Sequence, residues 1–186
     1  MKKQRIRPFR PIYPSPAGLV TSISVDGRPN IITLGEIFNI SIASPVIVGI
    51  AIHKDRYSHE LISATREYVV NLPTAGMVET VDLCGSVSGR DVDKFAKFGL
   101  TPVEADEVSP PLLAECPVNI ECHVIGIQEI GDHDLFLGRA VAVHIAEEAL
   151  DQRGRVIVDR LDPLCYLHSE YHSLGARLGL HGFTSK

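Results

Sequence analysis

Two short segments of the chain carry the residue types that bind anions. The first, His53–Ser58, follows an apolar run and enters a segment with helical spacing, which brings Lys54, Arg56 and the Ser58 hydroxyl to a predicted helix start. The unpaired N–H groups and the dipole of a helix start favour negative charge, and a phosphate gains most from them. A helix start that is only capped and solvated has the same residues, so this segment alone leaves both interpretations open.

The second segment, Cys84–Arg90, offers two glycines, two serine hydroxyls and an arginine just before a predicted helix. We expect Asp91 to cap this helix and Gly99 to end it. Since Arg90 and Lys94 are four residues apart, they would point the same way on a continuous helix, with Lys94 on the open face. An ordinary surface turn needs the same glycines and serines. The segment matches neither a P-loop nor a dinucleotide fingerprint.

Other catalytic and metal-binding patterns are weak. Cys165, His168 and His172 would share one face of a helix, but Pro163 disfavours a helix there and the set lacks a fourth ligand. The sequence contains no HExxH, paired-cysteine or GxSxG motif, so we predict no metal site and no protein nucleophile. His133, in the predicted turn at residues 131–134, is either a structural turn residue or a functional one.

The composition is typical of one globular domain. The chain has 186 residues, of which 45% are hydrophobic and 22% charged, and this excludes a coiled coil, a collagen and a disordered tail. Four cysteines stand far apart and no secretory signal precedes them, so a reducing cytoplasm is the expected location. No run approaches the roughly 20 apolar residues of a membrane helix, so we expect no membrane association.

The charge is unevenly distributed along the chain. The formal net charge is −5, yet five of the 18 basic residues lie in the first ten positions, which leaves thirteen basic against 23 acidic side chains in the rest. We therefore expect no nucleic-acid-binding face, and any anion site must be built locally. Pro8, Pro11, Pro14 and Pro16 exclude a helix at the start, so residues 1–16 are predicted to form an extended arm and residues 17–186 a single domain.

Hydrophobic periodicity predicts a mainly β fold. Strands are expected where apolar and polar residues alternate or where a short run is rich in β-branched residues, and helices where apolar residues recur every three to four positions. The predicted strands are Gly18–Val25, Asn30–Leu34, Pro45–Ile52, Glu67–Asn71, Pro117–Gln128, Leu135–Ala146 and, more weakly, Arg155–Asp159, and the predicted helices are Tyr57–Arg66 and the one before Gly99. A turn at residues 26–29 joins the first two strands as a hairpin, and the third strand is expected to be central. This order predicts a β-barrel with helical insertions rather than a βαβ sheet.

Several short motifs follow one another along nearly the whole chain. The most specific is the block Ser88-Gly89-Arg90 followed by Asp93-Lys94-Phe95; the others are Pro29–Leu34, Ser44-Pro45, Arg56-Tyr57-Ser58, Glu67–Pro73, Cys84-Gly85, Gly99–Thr101 and Gly131–His133. In order and spacing they resemble the flavin reductase-like family of FMN-binding split barrels, the group that includes flavoredoxins and NAD(P)H:flavin oxidoreductases.

The resemblance implies a Greek-key split β-barrel with short helical insertions, a homodimer, and FMN held near the subunit interface. It also implies a set of cofactor-binding residues. Thr33, Leu34 and Gly35 would lay backbone and hydroxyl groups against the isoalloxazine edge, and Ala51 and His53 would flank the ribityl chain. The phosphate would be neutralised by Arg56, Tyr57, Ser58, Ser88, Gly89, Arg90 and Lys94.

The activity implied by the resemblance is transfer of a hydride from NAD(P)H to flavin, with electrons passed to free flavin, a ferric chelate or a protein partner. His133 matches a family position on the nicotinamide side of the flavin, so it is the expected catalytic residue. Two alternatives remain: a non-enzymatic FMN electron carrier of the flavoredoxin type, and a binding module that keeps the ligand without redox chemistry. Glu36, just after the flavin-edge segment, departs from the family pattern. An acidic side chain close to the flavin would make the flavin harder to reduce.

Overall fold

The computed structural model describes residues 1–10 and 12–185; Pro11, one of the prolines of the predicted arm, and Lys186 lie outside the described residues. Within them the chain forms twelve strands and three α-helices. The strands are β1 (Ser15–Pro16), β2 (Gly18–Ile23), β3 (Pro29–Leu34), β4 (Ile37–Ser41), β5 (Ile47–His53), β6 (Glu67–Leu72), β7 (Pro102–Val103), β8 (Leu112–Leu113), β9 (Val118–Ile130), β10 (His133–Ile145), β11 (Leu164–Leu167) and β12 (Glu170–Ser173); the helices are α1 (Tyr57–Thr65), α2 (Val78–Ser86) and α3 (Lys94–Phe98).

Seven of the strands form one antiparallel sheet that closes into a barrel. Its order is β3-β2-β6-β9-β10-β5-β4, so β3 and β4 lie at opposite edges although only Gly35 and Glu36 separate them in the chain. Three residue steps span at most about 11 Å, whereas the edges of a flat seven-stranded sheet lie about 29 Å apart. The sheet therefore curls until β3 and β4 are neighbours, with no ladder between them in the described chain. The predicted mainly β, Greek-key split barrel with short helical insertions is confirmed.

The barrel interior is filled by alternate residues of these strands. Ile50 and Ile52 of β5, Tyr68 of β6 and Phe136 of β10 are fully buried and belong to one apolar cluster. The buried Tyr68 hydroxyl donates to the carbonyl oxygen of Val48 at 2.8 Å, so its polar group has a partner inside the barrel.

A second apolar cluster covers the outer face of the β2–β3 hairpin. Leu19 and Ile31 pack there against Val81 and Cys84 of α2 and Phe95 of α3. Because both helices rest on β3, the segment between them is held beside the start of α1. This arrangement brings the two candidate anion-binding segments to the same side of the barrel.

The structure confirms several predicted elements and places others differently. The β2–β3 hairpin is antiparallel as predicted, and α1 agrees with its predicted span to within one residue. The strand predicted at Pro45–Ile52 is β5, which is paired on both sides but lies second from the β4 edge rather than at the centre. The weak strand at Arg155–Asp159 is wrong, since this stretch contributes one isolated bridge and a 3-10 turn, Val158–Arg160.

The start of α3 corrects two predictions. Asp93, not Asp91, is the N-cap, since its carboxylate accepts from the amides of Phe95 at 2.9 Å and Ala96 at 3.2 Å. Arg90 therefore lies in a turn before the helix and does not share a helical face with Lys94. The predicted end is confirmed: Gly99 takes the left-handed conformation, with φ of 65°.

The last residues of the arm pair with a strand from the C-terminal part of the chain. Residues 1–10 form no helix or strand, while β1 pairs with β11, which continues into the β11–β12 hairpin. Cys165, His168 and His172 lie on this hairpin and its turn, so the helical face considered for them does not exist. Within the described chain, no helix has the length and apolar character needed to cross a membrane.

Candidate functional site

A cavity of about 450 Å³ lies where β3, the β5–α1 corner and the α2–α3 segment meet. Eleven of the residues predicted to bind cofactor or substrate line it, and they come from six separate stretches of the chain. They are Thr33, Leu34, His53, Arg56, Tyr57, Ser58, Ser88, Gly89, Arg90, Lys94 and His133. The two segments identified as candidate anion sites therefore share one cavity.

Three of the predicted residues lie elsewhere. Ala51 does not line the cavity: it pairs with Leu135 across the sheet, and its N–H donates to the carbonyl oxygen of Glu36 at 2.9 Å. Gly35 lines a neighbouring, second cavity. Lys54, expected beside the anion, extends instead toward Asp134 and Glu129 at 3.4 and 3.6 Å, because these carboxylates lie next to it across the β9–β10 turn.

Lys94 is buried rather than on the open face of its helix, with 5% of its surface exposed. Its Nζ donates to the carbonyl oxygens of Ile31 at 2.8 Å and Cys84 at 2.7 Å, which leaves one N–H for another partner. Burial lowers the pKa of Lys94, the nearby charge of Arg56 lowers it further, and Cys84 acts in the opposite direction. A buried ammonium with only neutral acceptors in the described chain is suited to an anionic ligand.

Asn30 and Ser58 form a buried polar pair beside Lys94. The Asn30 amide donates to Ser58 Oγ at 2.7 Å, which leaves the Ser58 hydroxyl hydrogen available to a ligand. Asn30 Oδ1 is buried without a hydrogen-bond partner among the described groups. It lies so close to Gly89 that a Cβ there would approach it to 1.8 Å, which explains the glycine at this position. The sequence analysis missed Asn30, because a single asparagine in a strand carries no local signal.

Arginine side chains join the two segments at the rim of the cavity. The guanidinium groups of Arg28 and Arg90 both lie over the Tyr57 ring, at 5.8 and 4.9 Å from its centroid. Arg90 also pairs with Glu60 at 2.9 Å, and Arg28 donates to the carbonyl oxygen of Gly89 at 3.1 Å. Arg28 was not predicted, since its position in the β2–β3 turn gives no indication that it reaches the α1 start.

Two histidines form the opposite rim. His133 is the first residue of β10, not a turn residue, and pairs across the sheet with His53, their ring centroids 5.3 Å apart. His133 Nδ1 lies 2.9 Å from Asp132 Oδ1, and this hydrogen bond lowers the pKa of Asp132. Below them the buried Asp134 contacts His59 Nε2 at 2.8 Å. Carboxylate contacts thus hold both the β9–β10 turn and the adjacent start of β10, where His133 lies.

Thr33 uses its hydroxyl for the protein itself, donating to the carbonyl oxygen of Val81 at 2.6 Å. This bond ties β3 to α2. The Thr33 hydroxyl hydrogen is therefore used within the protein, and the oxygen could contact a ligand only as an acceptor.

The second cavity, of about 300 Å³, adjoins the first and shares Thr33 and Leu34 with it. Arg10 from the arm and Glu36 line both cavities and form an ion pair at their boundary. Tyr166 and Tyr171 of the β11–β12 hairpin form its aromatic side. Arg10 was not predicted as a site residue, because the arm is brought to the site by the pairing of β1 with β11.

The first cavity fits FMN. Its volume lies within the usual range for small-molecule sites. Four cationic side chains against two acidic ones line it, an excess of positive charge that matches a phosphate monoester of charge near −2. The one remaining N–H of Lys94 and the free hydroxyl hydrogen of Ser58 are donors of the kind a phosphate accepts.

The comparisons agree with this geometry. The flavin reductase like domain matches residues 10–175. The fold superposes on the flavoredoxin of Desulfovibrio vulgaris (Miyazaki F) with a TM-score of 0.91, 27% identity and complete coverage of both chains. For the flavoredoxin from Methanosarcina acetivorans the TM-score is 0.89 at 31% identity, covering 100% of this chain and 98% of that one. An NADH:riboflavin 5'-phosphate oxidoreductase from Streptomyces pristinaespiralis is 28% identical over 73% of each chain. The chain belongs to the flavin reductase-like domain family.

Proposed function

We propose that this protein is an FMN-binding oxidoreductase that takes hydride from NAD(P)H and passes electrons to free flavin, a ferric chelate or a protein partner. The observation that carries the proposal is the buried Lys94, which has no carboxylate partner in the described chain and lies in one cavity with Arg56 and Ser58. When bound, the flavin would supply the redox chemistry by accepting hydride from a dihydronicotinamide.

The residues at the Lys94 end would bind the phosphate. Lys94 and Ser58 would each donate one hydrogen bond, and Arg56 and Arg90 would add positive charge close to it. Tyr57 and Gly89 would shape this end, the tyrosine by holding Arg90 and the glycine by leaving room for Asn30. No protein nucleophile is needed, because the residues only bind, orient and exclude water.

The ring end would lie along β3, where Thr33 and Leu34 line the cavity. His53 and His133 stand at the rim of the same cavity, so they would contact a substrate that approaches the cofactor from solvent. We propose that His133 orients the nicotinamide there, since its ring is 37% exposed and fixed by Asp132.

Replacing His133 tests this role. H133A is expected to raise the KM for the nicotinamide substrate and to slow hydride transfer by about tenfold, because substrate orientation is lost while the phosphate end is intact. Stopped-flow reduction measures the rate, and FMN titration gives the affinity, which should not change. H123A is the matched control, since His123 lines neither cavity and is equally exposed at 37%. Unchanged hydride transfer in H133A would remove His133 from the reaction.

A second candidate function is a tightly FMN-bound electron carrier that oxidises NAD(P)H poorly. It is favoured by the likeness to the two flavoredoxins over the full length of this chain. Both functions need the same phosphate contacts, so the rate of nicotinamide oxidation separates them.

The direct test uses the purified protein. FMN is added while its absorbance is followed, and the loaded protein is then mixed anaerobically with NADH or with NADPH. Bleaching of bound flavin within seconds supports the oxidoreductase, and bound flavin that neither nucleotide reduces supports the carrier. A protein that takes up no FMN contradicts both proposals and leaves a binding module for another ligand.

We also propose that the protein is a homodimer, as the resemblance implies. Support comes from the exposed edge strand β4 and its continuation, where Phe38, Ile40, Ile42 and Val46 have 42%, 49%, 88% and 41% of their surface exposed. Apolar groups clustered at a sheet edge are typical of a protein–protein contact. Sedimentation equilibrium of the wild type and of I42S measures the oligomeric state. A monomeric wild type would contradict the proposal.

A further inference from the structure

The second cavity has the features of a substrate site distinct from the phosphate end. We propose that it binds a neutral, planar carbonyl compound of the quinone class, as the acceptor of electrons from the bound flavin. This inference rests on the proposed function, because the flavin of the first cavity would be the electron donor.

Position is the first argument. The two cavities share six lining residues and are therefore continuous: Arg10, Thr33, Leu34, Glu36, Gly85 and Ser86. Since Thr33 and Leu34 belong to β3, a molecule in the second cavity would lie next to the ring end of the first. At about 300 Å³ the second cavity is at the small end of ligand sites, and it suits a molecule of one or two rings rather than a second complete flavin nucleotide. Electron transfer between neighbouring ligands needs this proximity.

The walls favour a flat ligand. Tyr166 and Tyr171 face each other with centroids 5.4 Å apart and ring planes 57° apart. Tyr166 packs so closely on Gly35 that a Cβ there would lie 3.1 Å from its ring, and the Tyr171 hydroxyl donates to Asp82 at 3.2 Å. Both rings are thus held in place, and fixed aromatic surfaces bind planar groups well.

The charges favour a neutral ligand with a carbonyl group. The acidic and basic side chains that line the cavity are Arg10, Glu36 and Asp82. Arg10 pairs with Glu36, and Asp82 has no cationic partner among the lining residues. Burial, together with Asp82 and Tyr166, raises the pKa of Tyr171 to about 12, so the Tyr171 phenol is neutral at pH 7. Anions are therefore repelled, while the guanidinium of Arg10 has further N–H donors for a carbonyl oxygen.

The reaction is balanced with the substrates already named. NAD(P)H and one proton would reduce a quinone to the hydroquinone and NAD(P)+. A bound flavin would supply the two-electron relay, and the two carbonyl oxygens would each gain a proton. One proton equivalent comes with the hydride and the other from water. All four cysteines are buried, so quinone addition to an exposed thiol does not compete.

The test compares two probes of the same shape, neutral benzamide and anionic benzoate, by saturation-transfer NMR and calorimetry on the FMN-loaded protein. We expect benzamide to bind at least tenfold more tightly than benzoate. E36Q should reverse this preference, because it removes one negative charge and leaves Arg10 unpaired. Y166L should weaken benzamide at least tenfold, whereas F183L, an aromatic change outside both cavities, should not alter it.

A kinetic measurement completes the test: benzamide should inhibit NADH-dependent reduction of p-benzoquinone competitively with the quinone. Each of four results would overturn the inference. The two probes bind equally well, Y166L binds benzamide as the wild type does, benzamide displaces FMN, or benzamide does not compete with the quinone. Repeating the probe titrations without FMN separates the two proposals. If the protein fails to bind FMN or to oxidise NAD(P)H, but still prefers benzamide, the proposed function and the electron-acceptor role are both wrong. The second cavity would then be a binding site for neutral planar carbonyl compounds without a role in electron transfer.

Discussion

K94M is expected to weaken FMN binding about 100-fold while changing riboflavin affinity less than threefold. Methionine keeps an unbranched side chain of nearly the length of lysine but removes the charge, so the phosphate loses a buried, charge-assisted hydrogen bond. Such a bond contributes up to about 3 kcal/mol, and each 1.4 kcal/mol is about tenfold in affinity. Riboflavin has no phosphate and so reports any loss that is not due to charge. Fluorescence titration with both flavins measures the ratio.

A matched control comes from the same helix. Lys97 lies three residues further along α3 but is exposed, and K97M should leave both affinities unchanged. K94M also removes hydrogen bonds to the carbonyl oxygens of Ile31 and Cys84, so the variant should unfold at lower temperature. An equal loss of FMN and riboflavin affinity in K94M would mean that Lys94 has a structural role only.

The pH dependence of FMN binding follows from the same lysine. Without ligand, burial lowers the pKa of Lys94, and a bound phosphate would raise it again. Binding then takes up a proton above the lowered pKa, so FMN affinity should fall as the pH rises through that range, with riboflavin affinity flat. The folded, ligand-free protein binds fewer protons at this group than the unfolded chain, so its stability should rise over the same range.

Local signals predicted the elements well. The Asp26-Gly27 turn between two β-rich runs gave the β2–β3 hairpin, and the apolar spacing after Arg56 gave α1. Each of these depends on residues that are close in sequence. The split barrel followed from their order together with the family resemblance.

The burial of Lys94 could not be read from the same spacing. The periodicity suggested a helix from Asp91, in which Lys94 faces water, whereas the capping carboxylate belongs to Asp93. One of the two carbonyl oxygens that accept from the ammonium belongs to Ile31 in β3. Only the packing of α3 against the barrel brings the two together, and no local pattern encodes that distance.

The second cavity could not be predicted from the sequence for the same reason. Its charged pair joins Arg10 of the arm to Glu36, and its aromatic wall comes from the hairpin at the far end of the chain. Antiparallel pairing of β1 with β11 brings these parts together. Sites assembled from chain ends depend on such tertiary pairing, which composition and periodicity do not report.

E121Q is expected to lower the free energy of unfolding by about 3 kcal/mol at neutral pH, because buried donors would lose their acceptor. Glu121 in β9 is fully buried, and its carboxylate accepts from the amides of Asp106, Glu107 and Val108 at 3.1, 2.7 and 3.1 Å. His144 Nε2 lies 2.5 Å from Oε1, the oxygen that also accepts from the Asp106 amide. A glutamine in either orientation directs its NH₂ group at one of these donors. For a chain of this size the loss corresponds to about 6–12 °C in Tm.

Acid should remove the difference between E121Q and the wild type. Burial acts to raise the pKa of Glu121, but the hydrogen bonds from His144, Glu107 and Asp106 outweigh it, so the pKa lies below its ordinary value. A carboxyl with a lowered folded-state pKa stabilises the protein above its unfolded pKa and loses that contribution as the pH falls through the folded one. Urea unfolding at neutral and acidic pH should therefore show the gap closing. Glu104 is exposed and lies in the same loop as Asp106, so E104Q should have the stability of the wild type at every pH. If E121Q stays less stable than the wild type in acid, the hydrogen-bonded charge of Glu121 is not the cause of the difference.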